Sequence, residues 1–434
     1  MATKRQATRS QSTAPSTTTS SNSRTLRFDD GAVQFRQRIA VSLLSCRPLL
    51  IRNIRSDDVE APGLRTYEAS FLRLIDAMTN GSRIEINNTG TQLRFVPGVL
   101  IGGDIKHECP AGERSNNNNN SSGDAGTTQQ SSNNYRSIGW FLEGILPLAP
   151  FGKEPLSLTL HGITDGTCHM DPSPDYLRAS ALPLMQRFGI GVIDPDDQLF
   201  VAGNLSLKVV TRGAAPAGGG RVDFFCPMIP KELQPIDWTD PGLIKRVRGT
   251  CVSCKIVSSS LAARVAFAAK GVLHRLLPDV WIHTNVNTVK QHHCGPSPGL
   301  SLVITAESTT GVFMTAECCL EQQQQPSNSR GSLPTRELPD DMGQRGAAML
   351  LEEIRRGGCV DTGMQSLALL WMCLTPEDVS RIRVGTLSSY TIESLRLFKT
   401  AFGVEFKVKA DHDTKTVLLS CLGTGYRNMA RASS

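Results

Sequence analysis

Tyr67-Glu68-Ala69-Ser70-Phe71-Leu72-Arg73-Leu74-Ile75-Asp76-Ala77-Met78 places apolar side chains at Phe71, Leu74, Ile75 and Met78, the spacing of one helix face. Asn80-Gly81 stops that helix. Arg83 to Ile86 and Gln92 to Val96 then read as two short strands, split by Asn87, Asn88 and Gly90. Upstream, Phe35, Ile39 and Leu43 give a helix over 35–45, and Leu49 to Ile54 is a short strand-like run. Helix, strand, helix and two strands make a layered unit that buries one helix face on a sheet.

The order recurs. Gly139 to Leu148 reads as helix, Leu156 to Leu160 as strand, Pro174 to Phe188 as helix, and Leu199 to Thr211 and Arg221 to Phe225 as strands around a Gly-rich turn. A third copy is expected near the C-terminus. There, Gly343 to Ile354, Ser366 to Leu374 and Ile392 to Phe402 are helical, and Glu405 to Lys409 and Thr416 to Cys421 are strands. Outside that rhythm, Leu243 to Val257 is strand-like and Ser260 to Leu277 is an apolar helix stopped by Pro278. Val280 to Asn285 is a strand, and Leu300 to Cys319 is a hairpin turning at Thr310-Gly311. The expected fold is therefore α/β (α+β), with a repeated unit and a small α/β domain inserted at 236–336.

Composition sets the outer bounds. In 434 residues, 39% are hydrophobic and 20% charged, enough for a sizeable core and against global disorder. Lys+Arg number 46 against 40 Asp+Glu, a net charge of +6, which permits a polyanionic partner and excludes a histone-like binder. Residues 1–24 are Ser/Thr-rich and carry Lys4, Arg5, Arg9 and Arg24 with no acid. They read as a disordered basic arm, either an import or RNA-touching tail or a solvated terminus. Residues 110–134 and 321–334 read as flexible loops. No signal peptide or membrane-spanning run stands out, and twelve scattered cysteines suit a reducing compartment.

Three sets of residues invite chemistry. Arg212-Gly213 before Pro216-Ala217-Gly218-Gly219-Gly220 is either an anion-holding nest or a plain turn between strands. Arg36, Arg38, Arg47, Arg52, Arg55 and Arg65 fall at helix starts and strand ends, where guanidinium groups suit RNA phosphates; the alternative is a solvated surface. Cys251-Val252-Ser253-Cys254, with His292, His293, Cys294, Cys318 and Cys319 downstream, holds the inventory for zinc. On a strand, however, residues three apart point to opposite faces, so no metal is expected. No phosphate-binding P-loop or dinucleotide fingerprint is present.

Asn53-Ile54-Arg55, Pro62-Gly63-Leu64 and the Arg212 to Gly220 run together resemble the RNA 3′-terminal phosphate cyclase superfamily. The likeness is finer to its eukaryotic cyclase-like, ribosome-biogenesis branch. It is carried by Arg36-Gln37-Arg38, Tyr67 to Leu74, Thr79-Asn80-Gly81-Ser82, Pro97-Gly98-Val99-Leu100-Ile101-Gly102-Gly103, and Leu351-Glu352-Glu353-Ile354 through Gly357-Gly358-Cys359-Val360-Asp361. The resemblance runs from about residue 26 to 430. It implies three tandem βαβαββ-type units forming a large domain (25–235 and 337–430), interrupted by the small one.

True cyclases adenylylate a histidine. The matching stretch here, Cys359 to Leu367, has none; Asp361 is the nearest positional match, and no His lies between His293 and His412. Tyr67-Glu68 replaces a Gln-His pair, and Asp30-Gly31-Ala32-Val33 replaces a Gly-Gly-Gly-Gln. The resemblance thus implies a non-catalytic factor without a cofactor, acting in the nucleolus as a monomer within the small-subunit processome. It would support early pre-rRNA cleavages towards 18S rRNA and bind pre-rRNA and a ribosome-assembly GTPase, with no membrane association. The anion-facing residues left to hold RNA are Arg36, Arg38, Arg55, Arg65, Arg212, Gly218, Gly219 and Gly220. The alternative is an endoribonuclease cutting the pre-rRNA at an early processing site.

Overall fold

The fold, a computed structural model, is described for residues 25–112, 135–166, 171–191, 204–229, 232–255, 260–287, 294–320 and 337–428. The basic arm, most of the 110–134 loop, the 321–334 loop, and His292 and His293 lie outside these residues.

The first unit runs β1 (Leu26–Phe28), α1 (Phe35–Ser45), β2 (Leu49–Ile51), α2 (Thr66–Met78), a short β3 (Thr79–Asn80), β4 (Arg83–Ile86), β5 (Leu93–Val96) and β6 (Val99–Leu100), the last pairing with β3. The second runs β7 (Gly103–Glu108), α3 (Ile138–Ile145), β8 (Leu156–Gly162), α4 (Pro174–Arg187), β9 (Ser206–Thr211) and β10 (Gly220–Cys226). The third opens with β11 (Asp237–Trp238). It is interrupted by β12 (Ile244–Cys254), α5 (Ser260–Leu273), β13 (Val280–Asn287), β14 (Gly299–Ser308), β15 (Phe313–Cys319) and α6 (Pro339–Arg356). It resumes with α7 (Gln365–Leu374), β16 (Val379–Val384), α8 (Ser389–Phe402), β17 (Lys407–Asp411) and β18 (Thr416–Leu422).

Three of the sheets are drawn to one plan: β1-β2-β5-β4, β7-β8-β10-β9 and β11-β16-β18-β17. In each the first pair is parallel and the other two antiparallel. A parallel pair needs a crossover, and α1, α3 and α7 supply it. These crossover helices are buried nearly all round and sit in the core: every residue of α7 is buried, and in α1 only Arg36 and Ser45 are not. Ser394 of α8 bridges the polar groups of α1 and α7. Ser394 Oγ donates to Gln37 Oε1 at 3.0 Å, and Ser366 Oγ donates to Ser394 Oγ at 3.0 Å. The second helices are amphipathic. α2 buries Phe71, Leu74, Ile75 and Met78 as its spacing requires.

The insert is a fourth sheet, β13-β12-β14-β15, with α5 and α6 on one face. Two of its boundaries differ from the sequence reading. β11 pairs with β16 and so belongs to the third sheet, and α6 packs on α5, β14 and β15. By packing, the insert runs from Ile244 to Arg356. Small residues cause this. A Cβ on Gly343 would meet the Val265 carbonyl at 2.4 Å and one on Gly346 would meet Cys318 Sγ at 2.8 Å, so α6 seats closer to the insert than any larger side chain permits. Among the described residues no helix is long and apolar enough to cross a membrane.

Candidate functional site

The arginines are placed by the first and second units, and every one is already engaged. Arg36 pairs with Glu143 at 2.8 Å, donates to the Trp140 carbonyl and lies over the Trp140 ring at 4.6 Å. Arg38 is buried, pairs with Asp30 at 2.6 Å and stacks 4.1 Å from the Phe28 ring. Arg55 forks onto Glu68 at 2.6 and 2.8 Å and donates to the Gly63 carbonyl and the Tyr67 hydroxyl. Arg65 pairs with Asp58 at 2.7 Å.

Tyr67 and Glu68, which stand where a Gln-His pair was expected, are both buried. Glu68 accepts the Arg65 N–H at 2.8 Å as well as the Arg55 fork, fixing the start of α2. The set is a bracket: Arg36 and Arg38 brace α1 against α3 and the loop after β1, and Arg55 and Arg65 brace the loop after β2 against the start of α2. Offering one of these guanidinium groups to a phosphate means first breaking an internal ion pair.

The glycine run is a packing junction. Gly218 and Gly219 have φ +63° and +83°, which only glycine adopts freely. The amides of Ala217 and Gly218 are already bonded, to Ser297 Oγ at 3.2 Å and the Ala214 carbonyl at 3.0 Å. Gly220 sits in β10 opposite Gly162. A Cβ on Gly295 would come within 1.8 Å of the Gly218 oxygen, so two glycine backbones touch where the insert returns to the body. Arg212 beside them is buried and forks onto Asp175, with the longer contact at 3.2 Å.

A cleft of about 890 Å³ opens at the seam where α4 of the second unit meets the insert, lined in part by Tyr176 of α4, Glu317 of β15, and Arg345, Met349 and Glu353 of α6. Asp361 lies behind it. Its Oδ1 accepts from the Tyr176 hydroxyl and the Met364 N–H, both at 3.0 Å, and its Oδ2 has no partner. Burial pushes its carboxyl up to about 7, and nearby Glu353 adds to that.

Sequence reasoning missed three further acids at this seam. Burial raises Glu317 to about 7 although it accepts the Ser173 N–H at 3.1 Å through each oxygen. Asp165 rises to about 7 by burial against the pull of Arg212. Asp171, paired with Arg136 at 3.1 Å, rises to about 6 by burial. A lone acid inside the apolar strand Phe313–Cys319 was the one available signal.

The structure therefore divides the expected site into two places. Arg36, Arg38, Arg55, Arg65, Tyr67 and Glu68 form the bracket, while Arg212, the glycine run and Asp361 belong to the seam. A narrow hollow lined by Arg36, Glu143 and Gly363 lies between them. Cys251 and Cys254 point to opposite faces of β12. The first lies near Cys318 and the second near Cys294 and Arg212, and burial raises both thiols. Among the described residues no three His, Cys, Asp or Glu side chains are grouped to hold a metal.

The family model for RNA 3′-terminal phosphate cyclase matches residues 28–408. A probable RNA 3′-terminal phosphate cyclase-like protein of Dictyostelium discoideum is 44% identical over 93% of this chain and 98% of its own length. The Homo sapiens RNA 3′-terminal phosphate cyclase-like protein is 43% identical over 91% of this chain and 95% of its own. The rRNA processing protein rcl1 of Schizosaccharomyces pombe is 38% identical over 92% and 96%. With the family pattern running through three like-ordered sheets and into the seam, the chain belongs to the RNA 3′-terminal phosphate cyclase family.

Proposed function

We propose that this chain acts in rRNA processing as a non-catalytic assembly factor built on a cyclase frame. The observation that carries the reading is Asp361. It stands where the family's adenylylated histidine is expected, it is buried, and its one bonded oxygen is held by Tyr176 and the Met364 amide. A carboxyl so held has neither the nitrogen for a phosphoramidate nor an approach path for ATP. The likeness to a yeast protein named for rRNA processing supports the process. The finer parts of the reading are residence in the nucleolus, assembly into the small-subunit processome, support of early cleavages towards 18S rRNA, and binding of a ribosome-assembly GTPase.

The test is direct. Purified chain incubated with labelled ATP and a 3′-phosphorylated RNA is expected to yield no covalent AMP adduct and no cyclic phosphate. Either product overturns the reading. Depletion of the chain is expected to raise uncut 18S precursor, and re-expression of the full sequence to restore cleavage.

An endoribonuclease is the second reading, and one observation favours it. Glu317 lines the cleft with a carboxyl poised at about 7, the range a general acid or base needs. Both its oxygens, however, serve the start of α4. A precursor fragment offered to the purified chain, alongside Glu317→Gln and Asp361→Asn variants, separates the two. A scaffold leaves the fragment whole in every case, whereas a nuclease cuts it and loses the cut with Glu317→Gln.

A further inference from the structure

With the bracket arginines committed internally, the outer edge of the insert offers cations of a different kind. β13 is an edge strand of its sheet, paired only with β12 among the described residues. Its Trp281 is 64% exposed, and Phe267 of α5 is 79% exposed. Two large aromatic side chains left in water at this level mark a contact surface. Lys270 Nζ stands 5.6 Å from the centre of the Trp281 ring, and Phe267 lies one helical turn before Lys270 on α5. Phe267 and Lys270 are i and i+3 on one side of α5, and His274 follows at i+7 in the turn just after it, its N–H bonded to the Lys270 carbonyl. His283 is exposed and lies two residues beyond Trp281 on the same face of β13. Arg275 is exposed next to His274.

The charge on this edge is one-sided. Asp279 is the nearby acid, and Arg248, opposite Trp281 in register, holds it with two bonds at 2.9 Å. Arg264, further along α5, is tied to Asp340. No ion pair occupies Lys270 or Arg275 among the described residues. Exposed aromatic planes interleaved with free cations are the chemistry that takes successive unpaired bases and the phosphates between them. A protein partner would have to bring acids to this edge and stack on two separated rings. A duplex would offer no base faces.

We infer that the α5–β13 edge of the insert is a stacking platform for single-stranded RNA, with Trp281 and Phe267 carrying bases and Lys270 and Arg275 carrying phosphates. The platform rests on the rRNA-processing reading only for the reason RNA comes near. It stands or falls on binding, independently of the adenylylation assay.

Trp281 makes the test specific. The other three tryptophans, Trp140, Trp238 and Trp371, are 6%, 9% and 0% exposed. An unstructured pyrimidine-rich oligonucleotide added to the full chain is expected to quench tryptophan emission, and Trp281→Phe to abolish that quench while retaining binding. Phe267→Ala with Trp281→Ala is expected to weaken binding by about tenfold or more, the scale of one or two lost base stacks. Lys270→Glu is expected to weaken it and flatten its salt dependence.

The inference is overturned by RNA binding that leaves Trp281 emission unchanged. It is equally overturned by a double variant that binds like the parent with an unchanged melting temperature, or by a parent that binds no single strand at low salt. It also fails if the double variant loses a protein partner while its RNA binding holds.

Discussion

Asp361 makes one chemical point sharply: a buried carboxyl with a single satisfied oxygen is more stable neutral than charged. Its ordinary value of 3.8 is raised to about 7 in the fold. Between about pH 4 and 7 the folded chain therefore holds a proton the unfolded chain has released, and linkage makes stability fall as pH rises through that window. Glu317 and Asp165, also raised to about 7, act in the same direction. Asp361→Asn keeps an oxygen for Tyr176 and the Met364 amide and removes the ionisation. The gap in melting temperature between variant and parent is expected to move in the variant's favour from pH 4.5 to pH 8, by about 2 °C or more, roughly what 1 kcal/mol supplies in a large domain. A gap that stays flat across those pH values would show that Asp361 is not protonated in the fold.

At the scale of elements, close glycine contacts set how the insert meets the body. Gly295→Ala forces a Cβ into the Gly218 oxygen, which has no room to retreat because Gly218 is itself pressed on Gly162. A loss of about 2 kcal/mol or more is expected in denaturant unfolding. Gly271→Ala is the control. It lies inside α5 with nothing within 4 Å of its Cβ, and should stabilise by about 0.5–1 kcal/mol.

The contrast between these two glycines also explains what could be read from sequence. Helical periodicity located α2 and α4 to within a residue or two, and the Thr310-Gly311 turn fell between β14 and β15. The leading strands β1, β7 and β11 went unread. Each is an edge strand, paired on one side only; β1 and β11 are three and two residues long, and β7 is Gly-Asp-Ile-Lys-His-Glu with one buried position. β16 was missed because an inward Ser380 breaks its alternation with Ile382 and Val384. Arg55 and Glu68 are 13 residues apart, near enough for their pairing to have been suspected. Tyr176 and Asp361 are separated by 185 residues and Glu317 and Ser173 by 144, so only folding brings these pairs together.

For the molecule as a whole, these distant pairs decide whether the insert is a separate lobe or part of one body. Glu317 belongs to the insert, yet its carboxyl caps α4 of the second unit. Gly295 N–H donates to the Arg212 carbonyl at 2.6 Å, and Arg187 of α4 donates to the Thr310 carbonyl at 2.5 Å. The apolar core runs across the seam without a break. Such a junction holds the cleft walls at fixed spacing. Its cooperativity should depend on Glu317 more than on any surface pair, because removing that carboxyl strands a buried N–H. In Glu317→Ala, amide hydrogen exchange is expected to rise about tenfold or more at the start of α4 and along β15, the scale of a lost buried hydrogen bond. Exchange in the β1-β2-β5-β4 sheet should stay as in the parent. Glu317→Gln, which keeps an acceptor and carries no charge, is expected to recover most of the protection. Uniform acceleration in every sheet would mean that the seam and the body unfold as one unit, and unchanged exchange at α4 would mean that the carboxyl contributes nothing to holding them together.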